Sequence, residues 1–182
     1  LPLYAISDVW AFFLKSTIVS GYHIFSVNQK HYLGTYVFVF FYCNQHEIFL
    51  DILLESEGKT VVLDAGSFKP NIERFLDKAD IVIASEDFVD GKGNTIFAMN
   101  CEAQHKAVTR GEKPILYNGT EIPVEQVAAV DTLGAGDVFH GAFCYAYFAE
   151  EKTCEDALRF ASKVAGESIK YRGPKDWINH WR

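Results

Sequence analysis

The stretch Asp131-Thr132-Leu133-Gly134-Ala135-Gly136-Asp137-Val138-Phe139 decides how the rest of the chain is read. It follows an extended segment and opens a helix. Ala135, Val138, Phe139, Ala142, Phe143 and Ala146 recur at the spacing of one helical face, which puts the helix start near Ala135 or Gly136. Gly134 and Gly136 have no side chains, so an anion can come close to the backbone. The first amides of a helix have no intrahelical acceptor and sit at the positive end of its dipole. Together these features make an anion hole suited to a phosphoryl group. Asp137 falls in the first turn beside that hole, where a carboxylate stays ionised and can accept a proton from an attacking hydroxyl. Phosphoryl transfer asks little more of a protein than such a base and positive charge on the moving group. Two other readings stand beside this one. The glycines could serve only a tight strand-to-helix turn, with Asp137 as a partner of the dipole. A dinucleotide loop fits less well, because its third glycine position holds Phe139.

Working outward, the chain from Glu47 alternates helix and strand patterns. Ile48, Phe49, Ile52 and Leu53 form a helical stripe that Gly58 can stop. Residues 60–63 read as a parallel strand ending at Asp64, and Pro70 opens a helix through Asp77. Residues 81–84 form the next strand, ending at Ser85 and Glu86, and a helix is expected over 95–104. Residues 107–109 give another strand, followed by Arg110 and Gly111. Residues 115–117 and 122–130 read as a hairpin around Asn118-Gly119. A last helix begins at Thr153, whose hydroxyl can cap it with Asp156 three residues on, and Gly173 and Pro174 stop it. Strands alternating with helices define an α/β fold with a mostly parallel sheet flanked by helices on both faces. Ligands bind such sheets at the carboxyl ends of the strands, so the loops at Asp64, Ser85 and Thr109 should crowd one edge.

Composition divides the chain unevenly. Residues 1–46 hold only three charged side chains, Asp8, Lys15 and Lys30, and are crowded with aromatics; 36–42 read as a buried strand. Two portions are therefore expected: this nearly uncharged segment, 1–46, and a charged portion, 47–182, to which the resemblance given below assigns nucleotide binding and catalysis. The net charge of −7 argues against a nucleic-acid partner. The four cysteines contain no CxxC pair and the six histidines no HxxxH spacing, so reduced thiols and no zinc site are expected. The longest uncharged stretch, between Lys30 and Glu47, is shorter than the ~20 apolar residues of a membrane span. Residues 1–10 lack a basic start, and a cytoplasmic protein is the expectation.

The nine residues from Asp131 to Phe139 match the pattern DTxGAGDxF, and Gly141-Ala142-Phe143 continue it. In this the chain resembles the PfkB-type carbohydrate kinases of the ribokinase-like superfamily. The resemblance covers about residues 59–180. Val61 to Ser67 (VVLDAGS) and Ala79 to Phe88 (ADIVIASEDF) look like the family's successive strand-and-loop units, and Val108-Thr109-Arg110-Gly111 resembles its T-x-G element. Residues 157–166 are similar to the family's following helix and resemble the ketohexokinase-like branch.

The resemblance implies transfer of the γ-phosphoryl of ATP to a sugar hydroxyl, with Asp137 as the base and the amides of Gly134, Ala135 and Gly136 around the phosphoryl. It implies that Asp131 and Thr132 shape the turn and that Thr109 and Gly111 lie along the nucleotide. Arg110 joins them on charge grounds, with a solvated surface arginine as the competing reading. Val164, Ala165 and Gly173 are candidates for the adenine wall, although Val164 and Ala165 read equally as core. An N-x-x-E element that places magnesium is not kept at Ser85-Glu86-Asp87-Phe88, yet Glu86 or Asp87 could supply the carboxylate, against solvated loop charges as the alternative. His140 reads as structural rather than as a second base. The cofactors expected are ATP and Mg2+, and the partner a small-molecule sugar.

The family's Gly-Gly sugar-binding element is not found in residues 1–58, no Gly-Gly pair occurs in the chain, and Asp8, after a short apolar run, could be a remnant of its early aspartate. An incomplete amino-terminal part is expected, as in a fragment or a processed chain. A nucleoside kinase of the same fold and an inactive relic that binds nucleotide or a partner therefore stay open. If residues 1–46 are exposed, they favour a pairing surface; if they complete the sheet, they are plain core; a homodimer is a separate expectation.

Overall fold

The computed structural model describes residues 17–19, 22–26, 36–40, 58–69, 72–173 and 175–180. The chain divides into two compact units, one formed by Ser16–Glu121 and the other containing Ile122–Arg182.

The first unit is built on a sheet whose strands follow one another in space as in sequence: β1 (Thr17–Val19), β2 (Tyr22–Ser26), β3 (Tyr36–Phe40), β4 (Thr60–Asp64), β5 (Ile81–Ser85), β6 (His105–Arg110), β7 (Lys113–Tyr117) and β8 (Thr120–Ile122). β3 to β6 run parallel, while β1, β2 and β7 pair antiparallel with their neighbours. The parallel centre matches the alternating pattern read from sequence; the sheet is mixed at its edges. β3 pairs along its length with β4, from Tyr36 opposite Thr60 to Phe40 opposite Asp64. Consecutive residues Val61, Val62 and Leu63 in β4, and Ile81 to Ala84 in β5, are buried, as expected of parallel strands covered on both faces. Leu63, Val82 and Val108 share a core with Ile72, Phe75 and Leu76, the last two on the short helix α1 (Glu73–Leu76). Burial of each such side chain contributes about 1.5–3 kcal/mol.

Several expected boundaries move. α1 is only four residues long. Ile72 enters it from a turn on the Lys69 carbonyl, and Asp80 ends the segment by joining β4, its amide donating to the Val61 carbonyl and its carboxylate accepting the Val61 amide at 2.7 Å. Pro70 and the helix expected around Ile48 to Leu53 lie outside the described residues. Residues 95–104 form no helix: the amides of Ala98 and Met99 both reach the Thr95 carbonyl in a single turn. Burial of Ile96, Cys101 and Ala103 overrides a weak helical propensity there. The hairpin at Asn118-Gly119 is present, with φ of 44° and 87° at the two turn residues, the left-handed pair that such a turn requires. Its second strand stops at Ile122 instead of continuing to Val130, because Pro123 has no amide to give the ladder.

The second unit is helical. α2 (Ala135–Cys144) continues through a π-helical turn, Tyr145–Ala149, and packs against α3 (Cys154–Ser168). The Thr153 hydroxyl accepts the Asp156 amide at 3.1 Å, the expected cap. α3 ends at Ser168, five residues before Gly173. Its last turn is fixed by a tertiary contact, in which the Ile169 carbonyl accepts the amides of Val130 and Asp131 at 2.7 and 3.1 Å. Among the described residues no helix is long and apolar enough to cross a membrane.

Candidate active site

The helical unit contains the residues around which the sequence argument turned. Gly134 caps α2 with φ 76° and ψ 7°, a left-handed conformation that costs a side-chain-bearing residue energy. That single residue reverses the chain from the extended segment into the helix. The Ala135 amide donates to the Thr132 carbonyl at 3.1 Å, so one of the three amides expected around a phosphoryl closes the turn instead. The first intrahelical bond runs from the Val138 amide to the Gly134 carbonyl at 2.9 Å. Gly136 follows in the first turn, and a Cβ added to it would meet nothing within 4 Å, so the space over that backbone is open. Asp137 is exposed in the same turn. An accessible carboxylate and a helix start open to solvent are thus one residue apart. His140, one turn on, is buried with its ring against Phe139, which agrees with a structural histidine.

Asp131 holds this turn from two sides. Its Oδ1 accepts the Leu133 amide at 3.0 Å and its Oδ2 the Gly173 amide at 2.9 Å. The Leu133 and Gly173 amides, helped by the nearby Arg172 charge, hold the carboxyl below the ordinary carboxylate value. Thr132 and Leu133 are exposed at the rim, Leu133 with 71% of its surface free. Gly173 takes φ 77°, the conformation needed to turn its amide onto Asp131. Val164 is 2% exposed and belongs to the packed interior of α3, whereas Ala165 is half-buried.

The sheet unit gathers the second set at the carboxyl ends of β4 to β6. Ser85 stands opposite Thr109. The Thr109 hydroxyl donates to the Ala84 carbonyl at 3.2 Å, and the Glu86 amide to the Thr109 carbonyl at 2.9 Å, which fixes the loop after β5 against β6. The Ser85 hydroxyl donates to the Gly66 carbonyl at 2.7 Å and accepts the Asp87 amide at 3.2 Å, tying the loops after β4 and β5 together. Gly111, at φ 59°, makes the turn between β6 and β7. Arg110 is engaged inside that hairpin: Nε donates to the Pro114 carbonyl at 2.7 Å and Nη2 to Glu121 Oε1 at 2.9 Å. Lys113 Nζ lies 2.9 Å from Glu86 Oε2. Sequence reasoning placed the Ser85 loop at this edge without giving the hydroxyl a role, and it passed over Lys113. The signal available was a hydroxyl at a strand end and a lysine three residues after Arg110.

The carboxylates fit a magnesium ion in type. Glu86 already carries a cation, the Lys113 ammonium, and Asp87 beside it is exposed; oxygen donors of this kind suit a hard divalent ion. Among the described residues no group of three or more His, Cys, Asp or Glu side chains could hold a metal by itself. Phosphate oxygens and water would complete the shell.

Residues 42–181 match the family described as pfkB family carbohydrate kinase, and the chain belongs to that family. It is 45% identical to a ribokinase of Arabidopsis thaliana, over 66% of this chain and 36% of the relative. It is 29% identical to the ribokinase of Bacillus subtilis, over 70% of this chain and 42% of the relative. The chain therefore spans about two fifths of these relatives' length. A fructokinase from Vibrio cholerae O395, solved with fructose, ADP and calcium ion, superposes with a TM-score of 0.68 at 20% identity, covering 82% of this chain and 59% of the other. The fold is accordingly ribokinase-like.

Proposed function

We propose that this chain is the phosphoryl-transfer portion of an ATP-dependent sugar kinase. The observation that carries the reading is the left-handed Gly134, which places the open first turn of α2 and the exposed Asp137 carboxylate side by side. Asp137 accepts the proton of the sugar hydroxyl as that oxygen bonds to the γ-phosphorus of ATP. The bond from the γ-phosphorus to the bridging oxygen breaks, and ADP leaves with that oxygen. Amides at the start of α2, Gly136 foremost, face the phosphoryl oxygens as negative charge develops on them. Asp131, through Leu133 and Gly173, keeps the turn in place. Thr109, Gly111 and the Glu86–Asp87 loop form the edge along the nucleotide, and Gly173 lies on the loop that follows α3. Glu86 or Asp87 would hold magnesium through its water shell, and the bound ion would supply positive charge against the phosphates. Arg110 acts here by shaping the hairpin rather than by touching phosphate, given its two hydrogen bonds. Cytoplasmic residence suits the buried thiol of Cys101. A homodimer is part of the proposal, with no surface assigned to it.

The test is a coupled ADP-release assay with Mg-ATP against sugars and nucleosides. Sugar-dependent release that falls about a hundredfold or more in Asp137→Asn, with ATP binding kept, is the expected result. Normal turnover in that variant would remove Asp137 from the role of base. Release with nucleosides alone would move the acceptor class.

A further inference from the structure

We propose that Lys113 is a nucleotide-binding residue stored on Glu86: the triphosphate of ATP draws the ammonium away and leaves the Glu86 carboxylate to the accompanying divalent ion. The inference rests on the kinase reading above and adds to it a residue and an order of charge exchange.

The two cations at this sheet edge differ in how they are held. Arg110 sits in register with Lys113 across the β6–β7 turn, but its side chain is 20% exposed and makes two separate bonds within the hairpin. Lys113 is 59% exposed, and Glu86 45%, with one bond of 2.9 Å between them. A pair so open to water is weakly held, because screening and side-chain entropy offset most of its attraction. Lysine is also the cation better suited to exchange, being a point charge on a flexible stem with no planar fork to satisfy. The Glu86 main chain is anchored, since its amide donates to the Thr109 carbonyl at the end of β6. The carboxylate on its anchored loop and the movable ammonium lie at the carboxyl edge of a parallel sheet, where ligands of such folds bind.

A polyphosphate offers Lys113 more negative charge than one carboxylate does. Once Lys113 turns to it, Glu86 faces the site with an uncompensated charge and can accept hydrogen bonds from the water around the metal. Lys113 and the metal thus compete for Glu86 when nucleotide is absent and cooperate when it is present.

Crossed substitutions test this directly in the full chain. Calorimetry reads ATP binding in excess EDTA, and electron paramagnetic resonance reads Mn2+ binding without nucleotide. Lys113→Gln should weaken metal-free ATP binding about threefold to tenfold and tighten Mn2+ binding. Glu86→Gln should do the reverse, and Lys113→Arg should follow the wild type in both. Circular dichroism and melting curves confirm that each variant is folded. Wild-type ATP binding with both glutamine variants unchanged, or shifted in the same direction, reduces the pair to a surface ion pair and overturns this inference alone. A wild-type chain that binds no ATP overturns the kinase reading with it.

Discussion

The Asp131 carboxylate accepts the backbone amide of Gly173 at 2.9 Å, linking two residues 42 positions apart. One oxygen thereby holds the loop after α3 while the other, on Leu133, holds the turn into α2. The turn into α2 and the loop after α3 are coupled through a single side chain.

Acid should release that coupling. The folded-state pKa of Asp131 is depressed, chiefly by the Leu133 amide and then by that of Gly173. Its contribution is therefore fully present above the ordinary carboxylate value and is lost as pH falls through the lower, folded value. Asp131→Asn keeps one acceptor and replaces the other oxygen by a donor that cannot serve both amides. Thermal melts should show the variant less stable at neutral pH, with the difference from wild type shrinking as the acid range is entered. A difference independent of pH would mean that the charge on Asp131 plays no part.

Gly134 and Gly136 should respond oppositely to alanine. Gly134 has φ 76°, so Gly134→Ala costs about 1 kcal/mol or more from backbone strain. Gly136 is helical and its missing Cβ would meet nothing within 4 Å, so Gly136→Ala gains up to about 1 kcal/mol of helix propensity. The same methyl would stand where phosphate is proposed to approach. Melting temperature should fall in the first variant and hold or rise in the second, while turnover falls in both, and more still in Gly136→Val. Normal turnover in Gly136→Val would place the phosphoryl elsewhere.

Much of this was legible in the sequence because it is local. The glycine pair, the helical face beginning at Ala135, the Thr153 cap and the Asn118-Gly119 turn depend on neighbours a few residues away, and each is present. Errors arose where a distant partner decided the outcome. Residues 95–104 yield to burial of Ile96 and Cys101, α3 ends where Ile169 meets the extended segment before α2, and Asp80 ends α1 by bonding β4. At the candidate site the same division holds. The candidacy of Asp137 as a base follows from its place in the turn, whereas the engagement of Arg110 by Glu121 and of Lys113 by Glu86 needs the hairpin to be folded. The mixed edges of the sheet were hidden for another reason: pairing direction leaves little trace in a short apolar run.

The Thr153 cap separates stability from function. Thr153→Ala removes the acceptor of the Asp156 amide and should cost about 1 kcal/mol. Nucleotide affinity, measured well below the melting transition, should not change. A loss of affinity in a folded variant would show that α3 transmits its amino-terminal order to the Gly173 loop.

His105 offers a pH dependence of opposite origin at the other end of β6. Its Nδ1 lies 2.8 Å from the Tyr117 hydroxyl, and the two rings stack at 6.0 Å. Burial holds its pKa below the ordinary histidine value, so the folded protein favours the neutral ring, whose Nδ1 can accept the tyrosine proton. The unfolded chain takes up a proton more readily, and stability is lost as pH falls through the ordinary value toward the folded one. His105→Phe keeps a stacking ring and removes the titration. The wild type should lose more melting temperature than His105→Phe between about pH 7 and about pH 5. The pair lies at the start of β6, whereas Thr109 and Arg110 close the strand. ATP affinity should therefore be equal in the two proteins at neutral pH, and a shift there would show that the β6–β7 pairing carries strain from one edge of the sheet to the other.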